Sequence, residues 1–351
     1  MQNYPKIILY GANGYSAKLI LGELLKRGIE PVIAGRNSYA INTVANKYNL
    51  TSHIFSLNDY PVVLDNLNEA HTLLNCAGPF SETAEILMDA CLETKTNYLD
   101  ITGEIKIFEE AWKRNENSIK AGITILPGIG FDVVATDCIS KKLKEEMPDA
   151  VSLKLGIAAK KSKISRGTLI VSINQFGENS IVREKGKLVP IDRGSKTMTI
   201  DFGLFKSEAM AVQWGDVSNA FYSTGIPNIE VYLSLPSVLI KLMKSSKYFK
   251  KFIGSDFTKQ NLIRFVSRNI TGPNEKQRSK AGLFIRGEVE NIKGEKLEHV
   301  YEFPDGYALT SKSAVEIVTR VLKNDVKPGT QTPSLAFGSS FMDQFVVRRI
   351  K

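Results

Sequence analysis

The segment Gly11–Ala17, with the sequence GANGYSA, is the strongest chemical signal in the chain. It lies between the apolar run IILY and an amphipathic stretch, at the junction of a predicted strand and a predicted helix. A diphosphate needs backbone N–H groups aimed at it and no Cβ in the way, which Gly11 and Gly14 allow, while Ala17 lets the helix pack closely on the strand. A flexible turn is the alternative, but this placement favours dinucleotide binding. The predicted contacts are Gly11, Ala12, Asn13, Gly14, Tyr15 and Ser16.

The end of the second predicted strand carries Arg36 and Asn37, in the sequence AGRN. An NAD site usually has an acidic residue here to hold the ribose 2′-OH, whereas a guanidinium suits a 2′-phosphate. A solvated loop arginine is the alternative. The position relative to the glycines favours NADP(H) as the cofactor, with Arg36 and Asn37 as contacts.

Small residues end the fourth predicted strand, in the sequence NCAGPF from Asn75 to Phe80. Small side chains let a cofactor lie across the carboxyl edge of a parallel sheet. Cys76 is interpreted as a packing thiol rather than a nucleophile, because no histidine is near it in sequence and its strand is apolar. The predicted cofactor neighbours in this segment are Asn75, Ala77, Gly78 and Pro79.

Acidic residues follow two further strand ends, in NYLDITGE and PGIGFD. Asp100, Glu104 and Asp132 are candidates for proton transfer or substrate positioning, because strand ends should face the cofactor. Helix capping competes with these roles: it is the preferred interpretation for Glu104, while for Asp132 both stay open.

Short β-rich runs alternate with helical patterns from residue 5 to about 138, which is typical of βαβ units in a parallel sheet. The pattern of predicted elements then becomes mixed. It has β-rich segments from about 151 to 233, one helical run at 167–176, and a hairpin over 283–303 that turns at 293–295. The predicted class is α/β: a dinucleotide-binding Rossmann domain (1–138), an inserted α+β substrate or dimerisation domain (139–304), and a C-terminal helix and tail that return to the first domain (305–351).

Composition is that of an ordinary globular protein: 351 residues, 43% hydrophobic, 24% charged and a net charge of +9. Three separated cysteines and three isolated histidines predict neither a disulfide framework nor a metal site. The N-terminus shows no export signal and no stretch is apolar enough to cross a bilayer, so we expect a cytoplasmic location. The positive charge favours acidic partners, but no nucleic-acid-binding motif accompanies it.

The ordered motifs GANGYSAKLI, AGRN, LLNCAGPF, NYLDITGE and PGIGFDVVATD resemble the NADP-binding domain of the saccharopine dehydrogenase-like proteins. The later segments QWGDVSNAFYSTGIPNIEVY, GPNEKQRSKAGLFIRGEVEN and FPDGYALTSKSA resemble the trans-acting enoyl reductase branch of that family. The resemblance spans almost the whole chain. It implies a Rossmann domain with an inserted α+β domain, NADPH as the hydride donor, cofactor contacts at Gly11, Gly14 and Arg36, and a reaction held in the cleft between the domains.

A polar and aromatic cluster in the inserted domain combines Trp214, Asp216 and Tyr222 with two neighbouring hydroxyl residues. If this segment faces the cofactor, it forms the substrate floor. The alternative is a turn with Trp214 in the core and Asp216 capping it, and for Trp214 this is the preferred interpretation. We predict Asp132 and Tyr222 as the catalytic residues, either of which would act as donor or acid.

A basic amphipathic stretch, 238–253, has apolar residues on one helical face and five lysines, from Lys241 to Lys251, on the other. Such a helix can lie on an anionic membrane or dock an acidic acyl carrier protein, and a solvated helix packed on its own domain is the alternative. The predicted partners are a small-molecule or carrier-bound acyl substrate, this peripheral contact, and a second copy in a homodimer.

Three functions are compatible with these patterns. The first is an NADPH-dependent oxidoreductase that reduces the activated double bond of an acyl or lipid-like substrate. The alternatives are a saccharopine dehydrogenase-type C–N oxidoreductase and a non-catalytic NADP(H)-binding protein that engages a membrane or lipid.

Overall fold

The computed structural model describes residues 4–174, 178–245, 256–270 and 272–351. Two compact units make up this part of the chain. The first runs to Val134 and resumes over Tyr307–Phe337, and the second comprises the described residues of Ala135–Gly306 with Gly338–Lys351.

The strands alternate with helices throughout the first part of the chain. The strands are β1 (Ile7–Tyr10), β2 (Val32–Gly35), β3 (Ser52–Ile54), β4 (Thr72–Asn75), β5 (Asn97–Asp100), β6 (Thr124–Leu126), β7 (Ala150–Lys160), β8 (Ser180–Glu184), β9 (Lys187–Ile191), β10 (Thr197–Asp201), β11 (Lys206–Ala211), β12 (Asn228–Ser234), β13 (Gly282–Asn291), β14 (Lys296–Pro304), β15 (Gly329–Thr330) and β16 (Arg348–Arg349). The α-helices are α1 (Tyr15–Lys26), α2 (Ser38–Tyr48), α3 (Tyr60–Leu67), α4 (Ala84–Thr94), α5 (Ile105–Lys113), α6 (Asn115–Ala121), α7 (Phe131–Glu146), α8 (Arg166–Asn174), α9 (Asp216–Thr224), α10 (Ser237–Ser245), α11 (Asp256–Asn269), α12 (Glu275–Arg278), α13 (Gly306–Leu322) and α14 (Pro333–Phe337). Short 3₁₀ helices occupy Phe80–Glu82 and Ser339–Phe345.

The first unit is built on a parallel sheet whose seven described strands run in the order β15-β6-β5-β4-β1-β2-β3. All four residues of β1 and of β4 are buried, as expected for central strands that helices cover on both faces. The strand order reverses direction between β1 and β4, which is the topological switch point where such sheets bind nucleotides. The predicted α/β class with a doubly wound parallel sheet is therefore confirmed.

The second unit is a mixed sheet in which the long strand β7 is central. β7 pairs in parallel with β12 on one side and antiparallel with β13 on the other. The predicted hairpin is present as β13 and β14, whose pairing runs from Gly282 opposite Pro304 to Glu290 opposite Lys296. One face of this sheet packs an apolar cluster that includes Ile200, Phe202 and Phe284.

Several sequence predictions differ from the structure in the second half of the chain. The segment predicted as β-rich with one helix also contains α9, and the predicted helix over 104–121 ends at Lys113, with α6 starting at Asn115. The predicted C-terminal segment 305–351 is shared by the two units: α13 lies in the first, while β16 extends the second sheet by pairing with β14. Of the predicted helix over 238–253, residues 246–253 lie outside the described residues.

Close packing of α7 on β13 gives a stability test for the second unit. A Cβ added to Gly287 would lie 2.6 Å from both Ile139 Cγ2 and Leu143 Cδ1. We expect Gly287→Ala to lower the free energy of unfolding by about 1–3 kcal/mol, because the buried helix must shift. Urea denaturation followed by Trp214 fluorescence, in a Trp112→Phe background, reports this unit.

Gly167→Ala is the matched control in the same unit. The nearest atom to an added Cβ there is Ser165 Oγ at 3.9 Å, and the position is helical and exposed. Helix propensity predicts a neutral effect or a gain of up to about 1 kcal/mol. Equal stability changes in the two variants would contradict the packing.

Candidate dinucleotide-binding site

The turn between β1 and α1 is held by backbone hydrogen bonds alone. Gly11 N–H donates to the Ala34 carbonyl at 2.8 Å, and Gly14 N–H donates to the Gly11 carbonyl at 3.0 Å. Gly11 has φ +77°, and a Cβ built on it would lie 2.7 Å from Ala77 N. Glycine is therefore required at this position by both conformation and space.

The N-terminus of α1 lacks a capping side chain. Its N-cap is Gly14, and its first turn contains no acidic residue. By contrast, α2 is capped by Asn37 and α3 by Asp59, each accepting a backbone N–H. The first-turn N–H groups and the positive end of the α1 dipole can therefore be satisfied by an anion.

The other residues of this turn differ in exposure. Ala12 is buried, Asn13 is exposed, and Tyr15 and Ser16 are half-buried. The Tyr15 ring packs edge-on against Tyr307 of α13, with centroids 4.9 Å apart. The returning segment of the first unit thus packs on the first residue of α1, a contact that the sequence did not predict.

Arg36 follows β2 directly and is exposed. Its charge acts on the Tyr10 hydroxyl, where it opposes the rise in pKa caused by burial. No hydrogen bond or ion pair joins its guanidinium to a described residue, so its N–H groups can donate to a phosphate. Asn37 has a structural role as well, because its Oδ1 accepts the Ala40 N–H at 2.9 Å.

Asn75 shapes the loop after β4 through both ends of its side-chain amide. Its Oδ1 accepts the Ala77 N–H at 3.0 Å, and its Nδ2 donates to the Thr83 hydroxyl at 3.0 Å and the Tyr98 hydroxyl at 3.3 Å. Asn75 is fully buried, while Gly78 is exposed and Ala77 and Pro79 are half-buried. Asn75 therefore positions the loop, and the loop's own backbone faces outward.

Cys76, in the same loop, is half-buried. Desolvation raises the pKa of its thiol well above the ordinary value, with the nearby Asp100 carboxylate adding to the effect. A thiol that keeps its proton is a poor nucleophile, which agrees with the predicted packing role.

Asp100 is the centre of a buried hydrogen-bond network at the ends of three strands. Its Oδ1 accepts the N–H groups of Thr102 at 2.9 Å and Gly128 at 2.8 Å, and its Oδ2 accepts the Tyr98 hydroxyl at 2.8 Å. Burial raises the pKa of Asp100 to about 6. These three partners belong to the first unit, so Asp100 holds the β5 and β6 loops in place.

Glu104 caps a helix, but not the one it begins. Its carboxylate accepts the Phe80 N–H at 2.8 Å and the Ser81 N–H at 3.0 Å, at the start of the 3₁₀ helix after the β4 loop. It forms no side-chain cap on α5. Glu104 therefore fixes the far end of the loop that Asn75 begins.

Asp132 lies in the first turn of α7, after the β6 loop. A Cβ added to Gly103 would be 3.4 Å from Asp132 Oδ2, so the carboxyl group packs against the β5 loop. Burial raises the pKa of Asp132 to about 7. The preceding N–H, of Phe131, donates to the Thr310 hydroxyl at 3.1 Å, so α13 also supports this turn.

Tyr222, the second predicted catalytic residue, belongs to α9 in the second unit. It is half-buried, and its ring meets Phe221 edge-on at 5.6 Å. The hydroxyls of Ser223 and Thr224 donate to the Ala220 carbonyl within the same helix, so their polar groups are used locally.

Asp216 is fully buried and accepts the Thr136 hydroxyl at 2.7 Å. The roles of Asp132 and Tyr222 stay predictions.

A parallel sheet with this strand order, a glycine turn and an uncapped helix end define the first unit as a dinucleotide-binding domain. Residues 7–126 match the family described as the saccharopine dehydrogenase NADP binding domain. This stretch, about a third of the chain, is therefore similar to that family's domain, and its cofactor is NADP(H).

Curated relatives match the chain over a third to a half of their own length. The saccharopine dehydrogenase-like oxidoreductase of Homo sapiens is 24% identical over 203 residues, covering 51% of this chain and 47% of the relative. The trans-acting enoyl reductase of Mycobacterium leprae (strain TN) is 28% identical over 144 residues, covering 37% and 33%. The predicted resemblance to both groups is confirmed.

A solved structure extends the similarity in fold to nearly the whole chain. Apo saccharopine dehydrogenase (L-Glu forming) from Saccharomyces cerevisiae aligns with a TM-score of 0.67 at 11% identity. It covers 98% of this chain and 99% of its own. At this identity the likeness shows a shared fold.

Substitution of Arg36 tests its assignment to the 2′-phosphate. We expect Arg36→Ala to weaken NADPH binding by about 10-fold to 100-fold, since a charge-assisted contact is worth about 1.5–3 kcal/mol, and to leave NADH binding nearly unchanged. Isothermal titration calorimetry measures both affinities. Lys47→Ala, at an exposed position of α2, is the control. Equal losses for NADPH and NADH would refute the assignment.

The raised pKa of Asp132 predicts a pH dependence of stability. Because the folded state holds this proton up to about pH 7 and the unfolded state loses it near the ordinary value of 3.8, stability falls as pH rises through that window. Asp132→Asn should remove this loss, so the variant gains on the order of 2 kcal/mol over the wild type between about pH 4 and pH 8. Asp100, whose pKa is also raised, still causes a smaller loss of stability with rising pH in both the wild type and Asp132→Asn.

Urea denaturation in a Trp214→Phe background measures this difference, because Trp112 then reports the first unit. Asp65→Asn, on the exposed side of α3, should run parallel to the wild type. A difference in the free energy of unfolding between wild type and Asp132→Asn that stays constant across the pH range would contradict a carboxyl group that keeps its proton in the folded state.

Proposed function

We propose that the protein is an NADPH-dependent oxidoreductase that reduces the activated double bond of an acyl or lipid-like substrate. The observation that carries the proposal is the position of Asp132, in the first turn of α7 at the carboxyl edge of the NADP-binding sheet, with its carboxyl group packed against the β5 loop. Desolvation there raises the pKa of this carboxyl group to about 7. The names of the relatives, an oxidoreductase and an enoyl reductase, support the reaction class.

The residues that bind the cofactor follow the edge of the sheet. Arg36, after β2, pairs with the 2′-phosphate, and the β1–α1 turn with the start of α1 binds the diphosphate. β6, whose loop leads to Asp132, lies three strand spacings from β1, about 14 Å. An extended dinucleotide that starts at Arg36 and crosses the switch point therefore runs toward the Asp132 side.

When bound, the reduced nicotinamide supplies a hydride, which the β-carbon of the enoyl thioester accepts as its double-bond electrons move toward the carbonyl oxygen. Asp132 holds a proton at its carboxyl group and donates it to the α-carbon, which completes the saturated product. The resulting carboxylate recovers its proton from water. A pKa of about 7 suits this role, because the acid form is populated at neutral pH.

Turnover tests the proposal directly. We expect NADPH consumption with trans-2-enoyl thioesters of coenzyme A, no NADPH consumption with a 2-oxo acid plus amine, and no NADP⁺ reduction with saccharopine, each followed at the absorbance of the reduced cofactor. Asp132→Asn should lower kcat by about 10²-fold or more with NADPH affinity unchanged, since one acid–base group contributes about that much. Asp65→Asn is the matched control.

The pH profile separates a proton donor from a structural residue. The wild-type kcat should fall as pH rises above about 7, where Asp132 loses its proton, and the residual rate of Asp132→Asn should lack that fall. Full activity in Asp132→Asn would remove this residue from the reaction. Turnover of C–N substrates alone would favour the saccharopine dehydrogenase alternative, and NADPH binding without any turnover the non-catalytic one.

A further inference from the structure

Two helices of the second unit carry unusually exposed apolar side chains. In α10, Val238 is 75% exposed, and in α11, Phe257 and Phe265 are 79% and 63% exposed. Leu239 and Leu262 are exposed as well. Five of the fifteen large hydrophobic residues exposed in the described chain thus lie on these two helices.

The apolar exposure of α11 is separate from the face that packs. Val266 is buried, Ile263 is half-buried, and Lys259 donates from the same side to the Asn174 carbonyl at 2.6 Å. At 100° per residue, Phe257 lies opposite Val266, and Phe265 lies about 80° from Phe257 and about 160° from Ile263. The helix therefore already has its anchoring face, and its phenylalanines are left for another contact.

Cations share this outer face. Arg264 and Arg268 lie within about 20° of Phe257 around the helix axis, both are exposed, and neither forms an ion pair with a described residue. In α10, Lys241 is exposed on the same side as Val238. Phenylalanine and arginine side by side on one exposed arc differ from an ordinary solvated face, which is polar throughout.

The sequence around these helices carries most of the net charge. Residues 237–270 contain eight lysines and arginines and one acidic residue, Asp256, a net charge of +7 out of +9 for the whole chain. The remaining chain is nearly neutral. The described parts of this stretch, 237–245 and 256–270, contain five lysines and arginines and one acidic residue, a net charge of +4, which favours an anionic partner for the helices.

We propose that the outer face of α11 binds an anionic lipid surface. Phe257 and Phe265 enter the boundary between headgroups and acyl chains, while Arg264 and Arg268 meet the anionic headgroups. None of the helices in the described part of the chain has the length and apolar character of a bilayer span, so the contact is peripheral. The proposal is independent of the proposed reaction, since it uses no residue of the NADP-binding domain.

Flotation of the full chain with vesicles tests it. We expect the protein to float with vesicles of phosphatidylcholine and phosphatidylglycerol and to stay unbound with phosphatidylcholine alone. Raising the salt concentration should weaken the binding, because the charges are at the surface. Phe257→Ser with Phe265→Ser, and separately Arg264→Glu with Arg268→Glu, should each lower partitioning by about 10-fold or more.

Matched controls distinguish this surface from general stickiness. Ile292→Ser with Val347→Ser removes two other exposed apolar side chains, 81% and 63% exposed, and Lys120→Glu with Lys323→Glu reverses two exposed lysines of the first unit. Both controls should float like the wild type. NADPH affinity, measured on every variant, should be unchanged and confirms folding.

Each other outcome overturns the proposal. Flotation that the Phe257 and Arg264 variants leave intact would place the membrane contact elsewhere. No flotation, with these variants instead breaking a dimer in analytical ultracentrifugation, would assign the face to a second copy. Binding to acyl carrier protein but not to anionic vesicles would assign it to that partner.

Discussion

The nucleotide site depends on the contact between two backbone turns, the one after β1 and the one after β4. Gly11 approaches Ala77 so closely that a Cβ would lie within 2.8 Å of three Ala77 atoms. The contact brings the glycine turn and the β4 loop together at the switch point of the sheet, where a dinucleotide crosses from one half of the fold to the other. With Gly14 in place of a capping side chain, the start of α1 is left to bind an anion.

Buried carboxyl groups keep the surrounding loops in register. Asp100 accepts two backbone N–H groups and a tyrosine hydroxyl, and Glu104 accepts two backbone N–H groups of the loop that Asn75 shapes. A buried carboxyl is tolerated because these hydrogen bonds replace water. Asp132 has a similarly raised pKa and lies in the first turn of α7. The same edge of the sheet thus holds acidic residues that position loops together with Asp132, which we propose as the proton donor.

The first unit could be predicted largely from the sequence, and the second only in part. β1 and α1 flank the glycine turn as predicted, and β4 ends at Asn75 as predicted, because glycines mark the ends of these elements and apolar periodicity fills them. The network of Asn75, Tyr98 and Asp100 could not be read in advance, since it joins residues of neighbouring strands. Glu104 was predicted as a cap, but the helix it caps begins 24 residues earlier in the chain. The α9 helix was missed because its polar, β-rich surroundings hide a short helix that tertiary contacts stabilise.

A crystal structure of the protein with NADP⁺ is the most direct test of this account. We expect the diphosphate on the backbone N–H groups at the start of α1, the 2′-phosphate within hydrogen-bond distance of the Arg36 guanidinium, and the nicotinamide on the β4–β6 side of the switch point. A nucleotide bound away from the β1–α1 turn, or a 2′-phosphate facing solvent with Arg36 turned aside, would contradict it.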